Sequence, residues 1–230
     1  MTAAPRSRRE RPAKPALTRE GIVAAAVAIL RAEGLRKVTM RRLAQELDTG
    51  PASLYVYVRN TDELHAAVLD ELLGTVGPAP AEGDWRERLE KVLTAYTEML
   101  FAHPSLARSA LTARPSGPNY LRLVETLLGL LDAGGVPREQ AAWGVDLLLQ
   151  HATATAAEHA GEESPDEWQA VTRALREASA ETHPHIAAGA GALLSGTPEA
   201  RLSWAFRALL GGIERTAVPG AGADPAAGSH

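Results

Sequence analysis

Cysteine is absent from the 230 residues. That excludes a disulfide framework, a thiolate nucleophile and a zinc ribbon. Aromatic residues make up only 4% of the chain, and segments in which β-branched and polar residues alternate are lacking. The strands of a sandwich or barrel therefore have no source, and an all-α fold follows. No apolar run is long enough to span a bilayer, and the N-terminal stretch lacks the apolar centre of a secretion signal. The expected location is the cytoplasm. Missing too are a nucleophile–base constellation, a phosphate-binding glycine loop and a paired-carboxylate motif, and the 7 histidines are scattered. An all-α enzyme is accordingly the weakest of the functional readings.

What the chain does have is charge segregated along its length. Residues 1–60 hold 12 Lys/Arg against 5 Asp/Glu, a net of +7, whereas residues 61–230 hold 12 against 23, a net of −11. A basic start on an acidic body suggests that one end meets a polyanion and the other serves a different purpose.

The basic part has helical punctuation. Thr18 is placed to cap a first helix, in which Ile22, Ala25, Ala26, Ile29 and Leu30 form an apolar face and Gly34 is a stop. Thr39 is placed to cap a second, with Met40, Leu43, Ala44 and Leu47 inward and Arg41 and Arg42 mostly outward. Asp48-Thr49-Gly50 breaks the pattern, and Pro51 opens a third helix predicted over Pro51–Val58, with Leu54 and Val58 turned to the core. Asn60-Thr61-Asp62 then starts a fourth, over Asp62–Val76. Two short helices joined by a tight turn make a helix-turn-helix, whose second helix enters the major groove N-terminus first.

The run GLRKVTMRRLAQELDTGPASLYVYVRNTDEL resembles the N-terminal domain of TetR-type transcriptional regulators, through Gly34, Thr39, Leu43-Ala44, Ser53-Leu54-Tyr55, Tyr57-Val58 and Asn60. The later part resembles, more loosely, the tetracycline-repressor branch. The resemblance implies an N-terminal three-helix helix-turn-helix domain over 17–60 and a C-terminal helical ligand-binding and dimerisation domain over 61–218. Flanking them are a basic tail, 1–16, and a second tail, 219–230, both expected to be disordered; the first is alternatively an arm reaching DNA. By resemblance, Arg41 matches a base- or phosphate-contacting position and could grip guanine bidentately. Pro51 and Ala52 match groove-facing positions suited to thymine methyls, flanked by Ser53. Tyr55 and Tyr57 match phosphate-contacting rings, and Thr39 matches a phosphate-touching cap. Lys37, Arg42 and Arg59 complete the expected DNA set. Met40 and Thr61 depart from the family's usual hydroxyl residue and lysine.

Downstream, helices are expected from Trp85 to His103, over Ser105–Leu111, over Asn119–Ala133, from Pro137 to Gly161, over Asp166–Ser179 and from Pro198 to Val218, with Thr182–Gly196 irregular. Two of these are apolar on more than one face, which calls for a second partner. The resemblance supplies it as a four-helix bundle across a two-fold axis. Val145, Leu148, Leu149, Ala152, Leu202, Trp204, Phe206, Leu209, Leu210 and Ile213 are the expected dimer interface. Two recognition helices about 34–36 Å apart would then meet successive major grooves of a near-palindromic operator.

The resemblance also implies a cavity for a small-molecule effector. Its expected lining is Tyr96, Met99, Leu100, Arg114, Leu123, Thr126, Leu127, Trp143, Leu147 and His151, mostly apolar with a few polar anchors. The tetracycline branch holds its drug as a magnesium chelate. At the matching positions this chain has Gly77 and Ala110, which cannot ligate a metal, so no metal or other cofactor is expected. His151, Glu158 and His159 lack the HExxH spacing of a zinc helix, and His183-Pro184-His185 is weaker still. The leading function is a ligand-responsive, homodimeric transcriptional regulator, most simply a repressor released from double-stranded DNA by a small molecule. The alternatives are a ligand-independent DNA-binding or architectural protein and, last, an enzyme.

Overall fold

Capping side chains set where three of the first four helices begin. In the computed structural model, which describes residues 16–111, 115–158 and 165–219, the Thr18 hydroxyl accepts the Gly21 N–H at 3.0 Å and starts α1 (Arg19–Glu33). Gly34 closes that helix at φ 83°, a left-handed value that a side chain resists, with its N–H on the Leu30 carbonyl at 2.9 Å. A 3-10 turn, Leu35–Lys37, leads to Thr39, whose hydroxyl accepts the Arg42 N–H at 3.2 Å and starts α2 (Met40–Glu46). Asp48, at φ 47°, turns the chain toward α3 (Pro51–Leu54), a position that short polar side chains tolerate. The Asn60 side-chain Oδ1 accepts the Glu63 N–H at 2.8 Å and opens α4 (Thr61–Leu73).

The head is held by a small apolar core. Ile22, Ala26, Ile29 and Leu30 of α1 are buried together with Leu43 and Ala44 of α2, with Leu54, and with Val58 beyond α3. Helix α3 is shorter than the expected Pro51–Val58. After Leu54 the chain makes a turn, with Tyr57 N–H and Val58 N–H both on the Leu54 carbonyl, at 2.9 and 3.0 Å. Tyr55, Val56, Tyr57 and Val58 are aromatic or β-branched, and such residues lose side-chain freedom in a helix.

The body follows as α5 (Trp85–Phe101), α6 (Pro104–Ala110), α7 (Pro118–Ala133), α8 (Arg138–Glu158), α9 (Pro165–Arg176), α10 (Pro184–Leu193) and α11 (Pro198–Arg215). Helix α8 runs through the middle, with α5, α6, α7 and α11 around it. Arg86 on α5 and Glu214 on α11 form an ion pair between two of those neighbours. Helix α10 corrects the expected irregular stretch over 182–196. Its run of alanines, started by Pro184 at the first helical position, outweighs two glycines. Helices α9 and α10 pack on each other, and none of their described side chains is buried. Helix α4 touches α1 on one side and α5, α6 and α7 on the other, so it links head to body. Among the described residues no helix is long and apolar enough to cross a membrane. The expected tails lie outside the described residues, except residue 16 and residue 219.

Candidate nucleic-acid interface

The head exposes a compact set of side chains on α2, on α3 and on the turn after it. Arg41 is exposed, and among the described residues its side chain makes no hydrogen bond or ion pair. Pro51, Ala52 and Ser53, the first residues of α3, are exposed. Tyr55 is 52% and Val56 79% exposed, high values for such large apolar groups. Lys37 and Thr39 are exposed at the turn before α2, and the Thr39 hydroxyl is occupied by its cap. The buried neighbours Leu43, Leu54 and Val58 hold these side chains on a fixed frame. A guanidinium, a hydroxyl, two aromatic or apolar surfaces and a lysine displayed together suit a duplex. The cations meet phosphate, and the short apolar residues approach base edges.

Three of the expected DNA residues sit differently. Arg42 turns back onto the protein. Its Nε and Nη2 donate to Glu33 at 3.1 and 2.6 Å, and its Nη1 donates to Glu46 at 2.8 Å. Those bonds keep the guanidinium charged and hold the Glu33 carboxyl below its ordinary range. Tyr57 is half-buried against the head core, so only part of its ring is available. The Arg59 side chain donates from Nε to Glu63 at 2.9 Å. The Arg59 backbone N–H, first, and its side chain, second, lower the Glu63 pKa. Val56, missed in the sequence reading, stands between the two tyrosines. Its signal was present: a β-branched apolar residue on the recognition segment with no inward register.

Where head meets body, the structure builds a polar junction that the sequence did not announce. Asp70 on α4 is buried, and its carboxylate accepts the Tyr120 N–H at 2.9 Å and, at the longer distance of 3.4 Å, the Asn119 N–H. An acid from α4 therefore caps the N-terminus of α7. Gly117 permits it, because a Cβ there would lie 2.2 Å from the Asp70 carboxyl. A cleft of about 530 Å³ opens beside this junction, between α1, the start of α4 and residues 116–119. The available signal was one aspartate at an inward position of the largely apolar AAVLDELL, beside the outward Glu71.

The residues expected to line an effector cavity divide. Tyr96, Met99, Leu100, Leu123 and Leu127 are buried in the body, and the Tyr96 hydroxyl is 2.7 Å from that of Thr153. Burial raises the Tyr96 pKa, with the Thr153 hydrogen bond opposing. Thr126 is half-buried, its hydroxyl on the Arg122 carbonyl at 2.8 Å. His151 is half-buried and sets its ring edge-on to Phe206. Arg114 lies outside the described residues. Trp143 and Leu147 do not join the interior group. They face outward at an apolar groove of about 450 Å³ whose lining also includes Leu209, Gly212 and Ile213.

The expected interface residues divide in the same way within the single chain. Val145, Leu148, Leu149, Ala152, Phe206, Leu210 and Ile213 are buried within the single chain, and Leu202 and Leu209 are half-buried. Trp204 is 71% exposed and Trp143 62%. The wide apolar arcs of α8 and α11 are mostly consumed inside the subunit, and the open face consists of Trp143, Leu147 and Trp204. An apolar arc records how much of a helix must be covered, not which neighbour covers it.

A helix-turn-helix head on a helical body defines a class, DNA-binding regulators of transcription, and comparison with known proteins agrees. Residues 22–68 match the family described as bacterial regulatory proteins, tetR family, and residues 77–217 match the tetracyclin repressor-like C-terminal domain. The chain belongs to the TetR family of transcription regulators. It is 64% identical to the Streptomyces transcription regulator SCO7704, whose crystal structure superposes with a TM-score of 0.78 over 90% of this chain and 99% of that one. It is 36% identical to ActR of Streptomyces coelicolor in complex with actinorhodin, with a TM-score of 0.75 over 86% and 96% of the two chains. The transcriptional repressor DrrR1 of Streptomyces coeruleorubidus is 37% identical over 125 residues, 54% of this chain and 46% of that protein. The chain spans about half the length of the curated relatives it matches.

Proposed function

We propose that the chain is a homodimeric transcriptional repressor that binds a near-palindromic operator and leaves it when a small molecule occupies the body. The observation that carries this reading is the exposed group Arg41, Pro51, Ala52, Ser53, Tyr55 and Val56, held on a packed three-helix head. The dimer is supported by Trp143, Leu147 and Trp204, large apolar side chains on the open face of α8 and α11 that water solvates poorly. The effector is supported by the ActR complex with actinorhodin. For a ligand to act, it must bind one arrangement of the two heads better than another, and α4 is the element through which that difference would pass.

A duplex selected from a random library by the wild-type protein serves as operator. Arg41→Ala and Tyr55→Ala are each expected to weaken binding to it by more than about tenfold. Wild-type affinity in both variants defeats the assignment of the head. Actinorhodin is the first effector probe, read as dissociation of the protein from that duplex.

A second reading, a ligand-independent DNA binder, is favoured by one observation. Leu100 and Leu127, both expected at an effector cavity, are 0% exposed, whereas a side chain facing an open cavity keeps surface that a water-sized probe can reach. Binding of actinorhodin, followed by its fluorescence or absorbance on titration, separates the two.

A further inference from the structure

We infer that Arg42 is a positioning residue of the DNA-reading head: it ties the C-terminal end of α1 to the first turn of α2 and thereby sets the direction in which Arg41 points. The inference rests on the DNA-binding reading given above. Glu33 is the last residue of α1 and Glu46 the last of α2. A carboxylate at a helix C-terminus meets the negative end of the helix dipole, an unfavourable place unless a cation joins it. Arg42 is that cation for both. Its Nε and Nη2 lie on Glu33 at 3.1 and 2.6 Å, and its Nη1 lies on Glu46 at 2.8 Å. The charge of Arg42 is thus already neutralised by carboxylates of the protein itself, which leaves little of it to attract a phosphate. A fork already holding two carboxylates also has few donors left to offer.

The consequence reaches the neighbouring residue. Successive side chains on a helix diverge by about 100°. Pinning Arg42 against α1 fixes the rotation of α2 about its own axis and turns Arg41 outward, where it is exposed. The Arg42 N–H is itself the donor to the Thr39 cap at 3.2 Å, so the same residue closes the first turn of α2 by backbone and the α1–α2 angle by side chain.

The test uses the full chain, the duplex selected by the wild type, and the variants Arg42→Gln, Glu33→Gln, the double of these two, and Arg42→Lys. If Arg42 positions, Arg42→Gln and Glu33→Gln each weaken operator binding by about two- to fivefold. The double variant is then no weaker than either single. The slope of log affinity against log salt stays at its wild-type value. Discrimination relaxes at the same base pairs that Arg41→Ala relaxes, which simple destabilisation of the head would not produce. Arg42→Lys does not restore it, because a single ammonium cannot bridge two carboxylates in the fork geometry. A phosphate contact demands the opposite. Glu33→Gln would free the guanidinium and tighten binding, and Arg42→Gln would flatten the salt slope by about 0.9 for each head. Either result overturns the inference, as does wild-type affinity and selectivity in both single variants. A melting-temperature cycle over the wild type, Arg42→Gln, Glu33→Gln and their double, without DNA, reads the clasp by itself. If the clasp is present but no duplex is preferred by the wild type, the DNA-binding reading fails rather than the clasp.

Discussion

Asp70 is the one charged side chain that the core encloses among the described residues, and its position at the first turn of α7 explains why it is tolerated there. A buried carboxylate needs donors for its oxygens, and the amides at the start of a helix are donors otherwise unpaired. Asp70→Ala is expected to lower stability by about 1–3 kcal/mol in urea titration, since it leaves those amides buried without an acceptor. Asp70→Asn should lose less, because an amide oxygen still accepts. Gly117→Ala should also destabilise, because its Cβ would be driven into the carboxylate. His103, the residue before α6, makes a different prediction. Burial, first, and the charge of Arg31, second, lower its pKa below 6.5. The unfolded chain then binds a proton more readily than the folded one. Stability contributed by the neutral ring is complete above about pH 6.5 and falls as the pH drops toward the folded pKa. Replacing His103 with Gln should flatten the melting temperature across that acid limb, and an unchanged pH profile refutes it.

At the scale of elements, the helix starts are the firmest part of the chain. Thr18, Thr39, Asn60 and Asp84 each accept an N–H from the first turn that follows. Thr39→Ala and Asn60→Ala should each lower stability by about 1 kcal/mol. Thr39→Ala should also weaken operator binding further, since it loosens the start of α2 beside Arg41; equal loss of stability without loss of affinity would confine Thr39 to a cap. These caps, and the 3.6-residue repeats that follow them, were legible in the sequence, as was the order of head and body. The extent of α3 was not. Its eight-residue pattern PASLYVYV is apolar at positions that fit a helix, yet only the first four residues take that form. The inward demands of Leu54 and Val58 are met equally by a turn. Helix α10 was missed for the converse reason, because glycine-rich composition concealed a run of alanines with a proline start.

For the whole molecule, charge and symmetry lead to one prediction each. The net of +7 over residues 1–60 against −11 over residues 61–230 directs a duplex toward one end and away from the other. Operator affinity should therefore fall steeply with salt, in proportion to the phosphates met. The proposed dimer places the face with Trp143, Leu147 and Trp204 against a second copy. Trp204→Glu together with Trp143→Glu should yield monomers in sedimentation velocity and cut operator affinity by at least about tenfold, since two heads bound jointly gain from their linkage. A dimer that persists in this variant would put the interface elsewhere.

The amino-acid order alone determined the helical class, the positions of most helix starts, the basic head and the residues Arg41, Pro51, Ala52, Ser53 and Tyr55 that the head displays. Capping, backbone propensity and periodicity act over a few residues, and all of them can be read along the chain. Only the tertiary structure decided that Arg42 faces Glu33 and Glu46, that Asp70 caps a helix 49 residues further on, and that Phe206 and Leu210 belong to the subunit core while Trp204 remains outside. Those choices depend on which surfaces become neighbours when distant segments pack, and no local pattern carries that information.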